Sequence, residues 1–450
     1  MSRPQPAAGG TRAALASGSP LVRTSLRLLP VQIVLRGAEA ALPVLLAIWF
    51  GRTAETDIYT LTAALFTFAG SLLFAAHQES ALIPILAEAK LRDRAQLPSL
   101  VGSLLLHTLV LGGVLSVLVG LASLAWMHLL FAGTGRAIAF GMILPFCLYL
   151  VAFSVRTFLI ALLQSERRFI SSGLGSAFAV LTSIAFIAAA RHPLGVLSIP
   201  VATLVGELVA IGWLSWVAVS IVGWRFAWSF ARPEPLRRLA AFVASEAGGS
   251  AATRLNPVVD QLMAGLAGIV GGGTLLRYSG DISAVPTGIL QATLLPVMLS
   301  HLSEHFAHRD LATIASVVRR TLLWAMGLLI LASLVLLVVG RPLLRLVFLH
   351  GVMDEAGIER MASLLPYHLV GLAPFGALLI LARAHVAVQN SPIMLSMGLL
   401  NAGLNIALNL LLLPVLGLEG IALSTSLVHL AVAAVFWLRW RRRLAALAGA

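Results

Sequence analysis

Residues 321–340 read TLLWAMGLLILASLVLLVVG, a run with no charged residue, bracketed by Arg319-Arg320 on one side and Arg341 on the other. At about 1.5 Å per helical residue the run is about 30 Å long, the thickness of a bilayer's hydrocarbon core. A helix is the form that can sit there, because it satisfies its own backbone hydrogen bonds where water is absent. Working outward, stretches of the same kind fill the chain from residue 29 to 438. They predict twelve spans near 29–50, 58–78, 99–127, 137–163, 169–190, 194–222, 241–270, 276–300, 316–340, 361–388, 393–413 and 415–438. The expected fold class is an all-α polytopic membrane protein.

Composition agrees. Of the 450 residues 59% are hydrophobic and only 11% charged, against about a quarter charged in ordinary soluble domains; mean hydropathy is +0.96. The spans leave no room for a nucleotide-binding module. No Walker-type Gly-rich loop ending in Lys-Ser/Thr occurs, and Lys90 is the sole lysine. Neither nucleotide nor nucleic acid is therefore an expected partner, and no cofactor or metal is expected. The net charge of +13 sits beside spans, where a basic excess reports topology. Cys147, the one cysteine, lies in an apolar run and reads as a small core residue.

Arginine and lysine set the orientation. Twenty basic residues fall in the N-terminal tail, the even-numbered loops and the C-terminal tail, and six fall in the odd-numbered loops (Arg52, Arg136, Arg191, Arg341, Arg345 and Arg360). The positive-inside rule then places both termini in the cytoplasm. Residues 1–28 read as a disordered cytoplasmic tail, 29–222 as a first six-helix lobe, and 223–240 as a cytoplasmic interfacial linker. Residues 241–438 read as a second six-helix lobe and 439–450 as a basic tail. Ala81-Leu-Ile-Pro84-Ile-Leu and Thr293-Leu-Leu-Pro296-Val-Met end the second and eighth spans alike. Such pseudo-symmetry places a substrate cavity between the lobes. Residues 341–360 are expected to form the largest outer loop.

Five arginines fall inside spans: Arg36, Arg156, Arg254, Arg277 and Arg383. Each costs about 2.5–3.5 kcal/mol at a span's centre on insertion scales, so each should face water or a partner. One reading is a cationic cavity for an anionic head group, since guanidinium pairs bidentately with phosphate and stays charged. The acids Glu39, Glu207, Glu246, Asp260 and Asp281 would then titrate or bind cations, with Glu39, Asp260 and Asp281 as coupling or gating candidates. The other reading is internal neutralisation, because Arg36 and Glu39, and Arg277 and Asp281, stand three and four residues apart.

Asn401, Asn405 and Asn409 form a four-residue stripe suited to bonding across helices. His77, His107 and His385 read as packing or boundary residues. His301-Leu-Ser-Glu304-His305 spells the H-x-x-E-H of inverted zinc peptidases, but it sits at a helix end without a third ligand and reads as a solvated extension.

Trp49-Phe50-Gly51 followed by Thr56-Asp57, with Pro84-Ile-Leu-Ala-Glu88 further on, resembles the MurJ/MviN lipid II flippase family, in which an FG-x4-TD turn opens the second helix and P-[IV]-L-A-E closes it. Tyr278 with Pro286-Thr-Gly288, Leu346-Val-Phe348 with Gly351, Arg383-Ala-His-Val-Ala-Val-Gln389 with Pro392, and Asn405 with Gly417-Leu-Glu-Gly420 resemble its later motifs in order. The resemblance implies the two-lobed fold of the multidrug/oligosaccharidyl-lipid/polysaccharide exporter superfamily. It also implies alternating-access flipping of a polyprenyl-pyrophosphate-linked sugar in the bacterial inner membrane, with an arginine cluster on the phosphates. Arg36 matches a cavity arginine and Asp57 the acid of the first outer turn. Where the family has further cavity arginines, this chain has Leu42, Gly70 and Asp281; it also lacks the two extra C-terminal helices, and Pro286–Pro296 is about four residues, roughly one turn, short. The expected function is thus a lipid-linked saccharide flippase for peptidoglycan or another envelope precursor, driven by a monovalent ion or the membrane potential. Its alternatives are a drug-cation antiporter of the same superfamily, a polyprenyl-sugar transferase or ligase, and a non-transporting envelope-assembly scaffold.

Overall fold

The computed structural model describes residues 20–71, 82–92, 97–130, 133–230, 237, 254–390 and 392–448, and every regular element among them is a helix. In chain order these are α1 (Pro20–Phe50), α2 (Ala54–Gly70), α3 (Ile83–Arg92), α4 (Leu97–Leu130), α5 (Gly133–Ser165), α6 (Phe169–Leu194) and α7 (Ser198–Trp216). After them come α8 (Asn256–Leu266), α9 (Gly272–Ala307), α10 (Leu311–Phe348), α11 (Glu355–Val370), α12 (Leu372–Ala387), α13 (Ile393–Leu416) and α14 (Leu418–Ala448).

The residues of α10 explain its setting. Ile314, Val318, Leu322, Ala325 and Leu329 are buried at three- and four-residue spacing, the stripe a helix turns toward its neighbours. The opposite face is as apolar, with Trp324 at 73% and Val338 at 77% exposure. An inner and an outer face that both exclude charge suit hydrocarbon and not water. Among the described residues, seven helical stretches are long and apolar enough to cross a bilayer, and α11 with α12, bent by 43°, make an eighth. One of the seven, Phe169–Ile221, is a hairpin turned at Gly195–Leu197, with α6 and α7 packed along each other. Gly206 permits this approach: a Cβ there would strike the Ala179 carbonyl.

Buried apolar side chains gather in separate groups. Phe66, Met142, Phe146 and Ile199 form one group in the first half of the chain, and Leu104, Phe158, Leu162 and Leu214 another. Leu302, Val318, Ile380 and Trp440 form the largest group of the second half, and Leu275, Phe348, Ile358 and Ile421 a fourth that Ala47 of α1 joins. The halves meet mainly through the end of α1, through α2, and through α8, α9 and α10.

The turns at 51–53, 195–197, 267–271, 349–354 and 417 lie together at one face, called the far face below. Here the expected outer loop over 341–360 is corrected. α10 continues to Phe348 and α11 starts at Glu355, because the loop's charges pair between the two helices. Arg341 meets Glu359, Arg345 meets Glu355 at 3.1 Å, and Arg360 grips Glu419 of α14 at 2.6 and 3.0 Å. Residues 20–28 and 439–448, read from sequence as parts of the tails, belong to α1 and α14. Of the expected linker, 223–230 is irregular chain held on α4 by the Ala227 N–H to Pro98 carbonyl bond at 3.0 Å. Residues 231–236 and 238–253, with Glu246, and 72–81, with His77, lie outside the described residues, as does the tail before Pro20.

Candidate functional site

The far face is shut by contacts that join the halves. α2 opens with a capping box, in which Thr53 Oγ1 accepts the Thr56 N–H at 3.2 Å and Thr56 Oγ1 accepts the Thr53 N–H at 2.9 Å. That start puts Asp57 in the first turn, where unpaired N–H groups favour an acid. Asp57 Oδ1 also accepts the Thr274 N–H at 2.9 Å and its hydroxyl at 3.0 Å. Thr274 stands in the first turn of α9, so one carboxylate serves the N-termini of two helices, one from each half. Gly273 leaves the space this needs, for a Cβ would lie 2.6 Å from Gln261 Oε1 and 3.3 Å from Asp57 Oδ1.

At the surface above, Arg52 grips Asp354 with two bonds, Nε to Oδ1 at 2.9 Å and a terminal nitrogen to Oδ2 at 3.0 Å. Asp354 also caps α11 by accepting the Gly357 N–H at 2.9 Å. The hydrogen-bonded Arg52 guanidinium holds the Asp354 carboxyl well below its usual range, at about 2. Next to it the Val352 N–H donates to the Ile48 carbonyl at 2.9 Å, and Gly351, at φ +63°, lies so close to that carbonyl that any Cβ would collide with it.

One turn deeper, Arg277 of α9 reaches the hydroxyl of Tyr59 on α2 and stands 3.9 Å from Asp281. Arg277 is half-buried and Asp281 exposed. Arg36 pairs with Glu39 at 2.8 Å and is 75% exposed. Arg254 and Arg383 are exposed and have no polar partner among the described residues. Arg156 behaves differently. It is bound to Glu207 of α7, lies over the Phe153 ring and reaches Ser176 of α6, all inside the first half. The five arginines share no partner among the described residues.

Asp260 of α8 holds a second polar centre, apart from the far-face contacts. Its Oδ1 accepts the side-chain amides of Asn405 at 3.1 Å and Asn409 at 2.9 Å, and Oδ2 accepts the Thr425 hydroxyl at 3.1 Å. No cation of the described residues pairs with it. Asn409 Oδ1 is buried and unpartnered, so carboxylate and amide oxygens gather among α8, α13 and α14. The asparagine stripe thus bonds across helices, but to an acid its spacing alone did not identify. At the other end of α9, His305 turns to Asp310 at 3.2 Å and stacks edge-on with His301; among the described residues no group of three or more His, Cys, Asp or Glu is placed to hold a metal.

Tyr59, Thr274, Thr425 and the Arg52–Asp354 pair were not singled out from sequence as a closure. Each is an ordinary residue whose role comes from a partner far along the chain. Asp57 and Arg52 sat inside a recognisable turn motif, which was the available signal.

A chain similar over 93% of this one and 87% of its own length is a solved structure described as the lipid II flippase MurJ in an inward closed conformation, at 17% identity and a TM-score of 0.77. An inward-facing multidrug resistance MATE family transporter aligns over 93% and 96% of the two chains at 14% identity and 0.76. A multidrug/oligosaccharidyl-lipid/polysaccharide superfamily transporter from Pyrococcus furiosus aligns over 94% and 96% at 14% and 0.64. At these identities the likeness concerns the fold. Among curated proteins no sequence matches. The profile of the family described as "Lipid II flippase MurJ" matches residues 46–449, and the chain therefore belongs to the MurJ lipid II flippase family.

Proposed function

We propose that this chain flips a polyprenyl-(pyro)phosphate-linked saccharide, lipid II or a close envelope precursor, across the bacterial inner membrane by alternating access. The family match over residues 46–449 carries the reading. It supports a transporter and no bond-making chemistry. In this reading twelve passes form two six-helix lobes, 29–222 and 241–438. To these passes the described residues contribute α1, α2 with α3, α4, α5, α6, α7, α8, α9, α10, α11 with α12, α13 and α14. The excess of arginine at the other end of the helices puts both termini in the cytoplasm and the far face in the periplasm.

Arg36, exposed, and Arg277, half-buried, are the first candidates for the phosphate, since each keeps donors free beside a single acid. Arg254 and Arg383 follow; Arg156, neutralised by Glu207 within one half, serves better as a brace. Asp57 acts as gate, and Asp260 with Asn405, Asn409 and Thr425 as the site where a proton or monovalent cation enters. A buried carboxylate with only neutral donors around it calls for one positive charge. The test is rescue of a bacterium depleted of its lipid II flippase, together with flipping of lipid II by the purified chain in vesicles. Rescue and flipping, both lost in Arg36→Ala with Arg277→Ala, are expected. Cation-coupled drug efflux without rescue would instead establish the antiporter, and neither activity with intact folding the scaffold.

A further inference from the structure

We infer that the far face carries a separate ligand site, a cleft for a small amphiphile bearing one acidic group, complete only while that face is shut. The cleft has a volume of about 530 Å³ and lies between the end of α1, the end of α6 and the 351–352 turn. That volume falls within the range of small-molecule sites, roughly 300–1,000 Å³. Neither Arg36 nor Asp260 lines it, and nothing in the transport reading uses it.

Arg191 gives the cleft its chemistry. Its guanidinium lies over the Trp49 ring, 5.1 Å from the centroid, and its Nε is buried with no hydrogen-bond partner. It forms no ion pair among the described residues. With no acid beside it the guanidinium charge is unpaired, and the guanidinium fork matches a carboxylate or phosphate monoester. His192 stands beside it as a second donor, and Ile48, Trp49, Val196 and Val352 line the rest with apolar surface. Glu55, exposed at the rim, works against a compact multiply charged ion. The walls therefore select a single acidic head with an apolar body and disfavour free inorganic phosphate.

The cleft's walls come from both halves of the chain. Gly351 and Val352 belong to the second half and stay in place through the Val352 N–H to Ile48 carbonyl bond. When the halves part at this face, that wall leaves. A ligand held there binds one conformation only, and so draws the population toward it by its full differential affinity. The site would accordingly act as a brake from the far side, whatever cargo the chain moves.

The experiment uses the full chain in lipid nanodiscs, with biphenyl-4-carboxylate as probe, biphenyl-4-methanol and inorganic phosphate as comparisons, and empty nanodiscs as blank. Equilibrium dialysis should find saturable carboxylate binding above the blank, about tenfold weaker for the alcohol and for phosphate. Arg191→Gln should weaken it about tenfold, and Val352→Trp, at a residue 58% exposed, should abolish it by filling the cleft. Spin labels at Leu129→Cys and Val415→Cys in a Cys147→Ser background, both label sites 77% exposed, should shift toward their shorter distance when the carboxylate is added. Binding no greater than the blank, or binding unmoved by both variants, overturns the site. Equal binding of the alcohol overturns its acidic class, and saturation without a shift in distance in an Arg52→Ala background, where the shut form is weakened, overturns its dependence on closure. None of these readouts involves lipid flipping, so they fail independently of the transport proposal.

Discussion

Removal of the Thr274 hydroxyl should loosen the far face by an amount that can be worked out beforehand. In Thr274→Val the N–H bond to Asp57 at 2.9 Å remains, while the 3.0 Å hydroxyl bond is replaced by a methyl group against a carboxylate oxygen. A hydrogen bond to a charged group contributes about 1.5–3 kcal/mol. Asp57 and Thr274 lie in different halves, so the bond exists only in the shut form and its loss falls wholly on the open–shut equilibrium. That is about a 10- to 150-fold shift toward the open form. Double electron–electron resonance between labels at residues 129 and 415, in nanodiscs, reads the two populations directly. A strongly shut wild type could hide the effect, so the substitution is also made on Arg52→Ala, which removes the bidentate grip on Asp354. If Thr274→Val changes the populations less than twofold in both backgrounds, the Asp57–Thr274 contact is not what holds this face closed.

Asp57→Asn should open the face further than Thr274→Val, because it also removes a negative charge from two helix N-termini, and the same label pair measures it. For Asp354, whose carboxyl is held near 2, the grip on Arg52 is complete above the ordinary carboxylate range near 4 and is lost only as pH falls through about 2; label distances should be constant from pH 8 to 5. In Arg52→Gln that carboxyl should return to the ordinary range, followed by carbon-13 NMR of labelled aspartate. Glu207→Ala should destabilise the chain by about 3–5 kcal/mol by stranding Arg156, with Glu207→Ala plus Arg156→Met recovering most of it in thermal unfolding. Asp260→Asn should erase any difference between sodium and choline media in the open–shut distances while leaving the melting temperature within a few degrees.

Much of the architecture was legible because hydrocarbon imposes one rule on every residue of a span, and a rule that simple survives in runs such as 321–340. The ends were less legible. Arg341, Arg345, Glu355 and Glu359 look like a polar loop in sequence, yet they are cross-helix pairs that let α10 and α11 extend to the surface. Charge alone cannot distinguish a solvated turn from helical residues reaching across to a neighbour. The Arg36–Glu39 and Arg277–Asp281 pairs were readable from helical spacing. The Arg156–Glu207 pair was not, since 51 residues separate its partners and only the packing of α5 on α7 brings them together. Likewise the Asn405–Asn409 stripe announced an interhelical bond, but its partner Asp260 lies 145 residues away from Asn405.

Placement of the charges explains how two such halves can part at modest cost. Arg156 and Glu207 neutralise each other wholly within the first half, and Asp260 takes its hydrogen bonds from Asn405, Asn409 and Thr425 wholly within the second. Neither buried set crosses the junction, so neither must be broken or stripped of partners when the halves move. What crosses is different in kind: a surface ion pair, one carboxylate with two donors, a backbone bond and, one turn beneath them, the reach of Arg277 to the Tyr59 hydroxyl. Exposed pairs of the Arg52–Asp354 type contribute at most about 1 kcal/mol, and water can take over each donor once the face opens. The costly charges thus hold each half rigid, and the inexpensive ones hold the halves together. A substitution that puts a second charge onto the junction, such as Gly273→Asp, whose Cβ would crowd Gln261 Oε1 and Asp57 Oδ1 and whose carboxylate repels that of Asp57, should therefore prevent the closed state, and label distances in that variant would show the longer population alone.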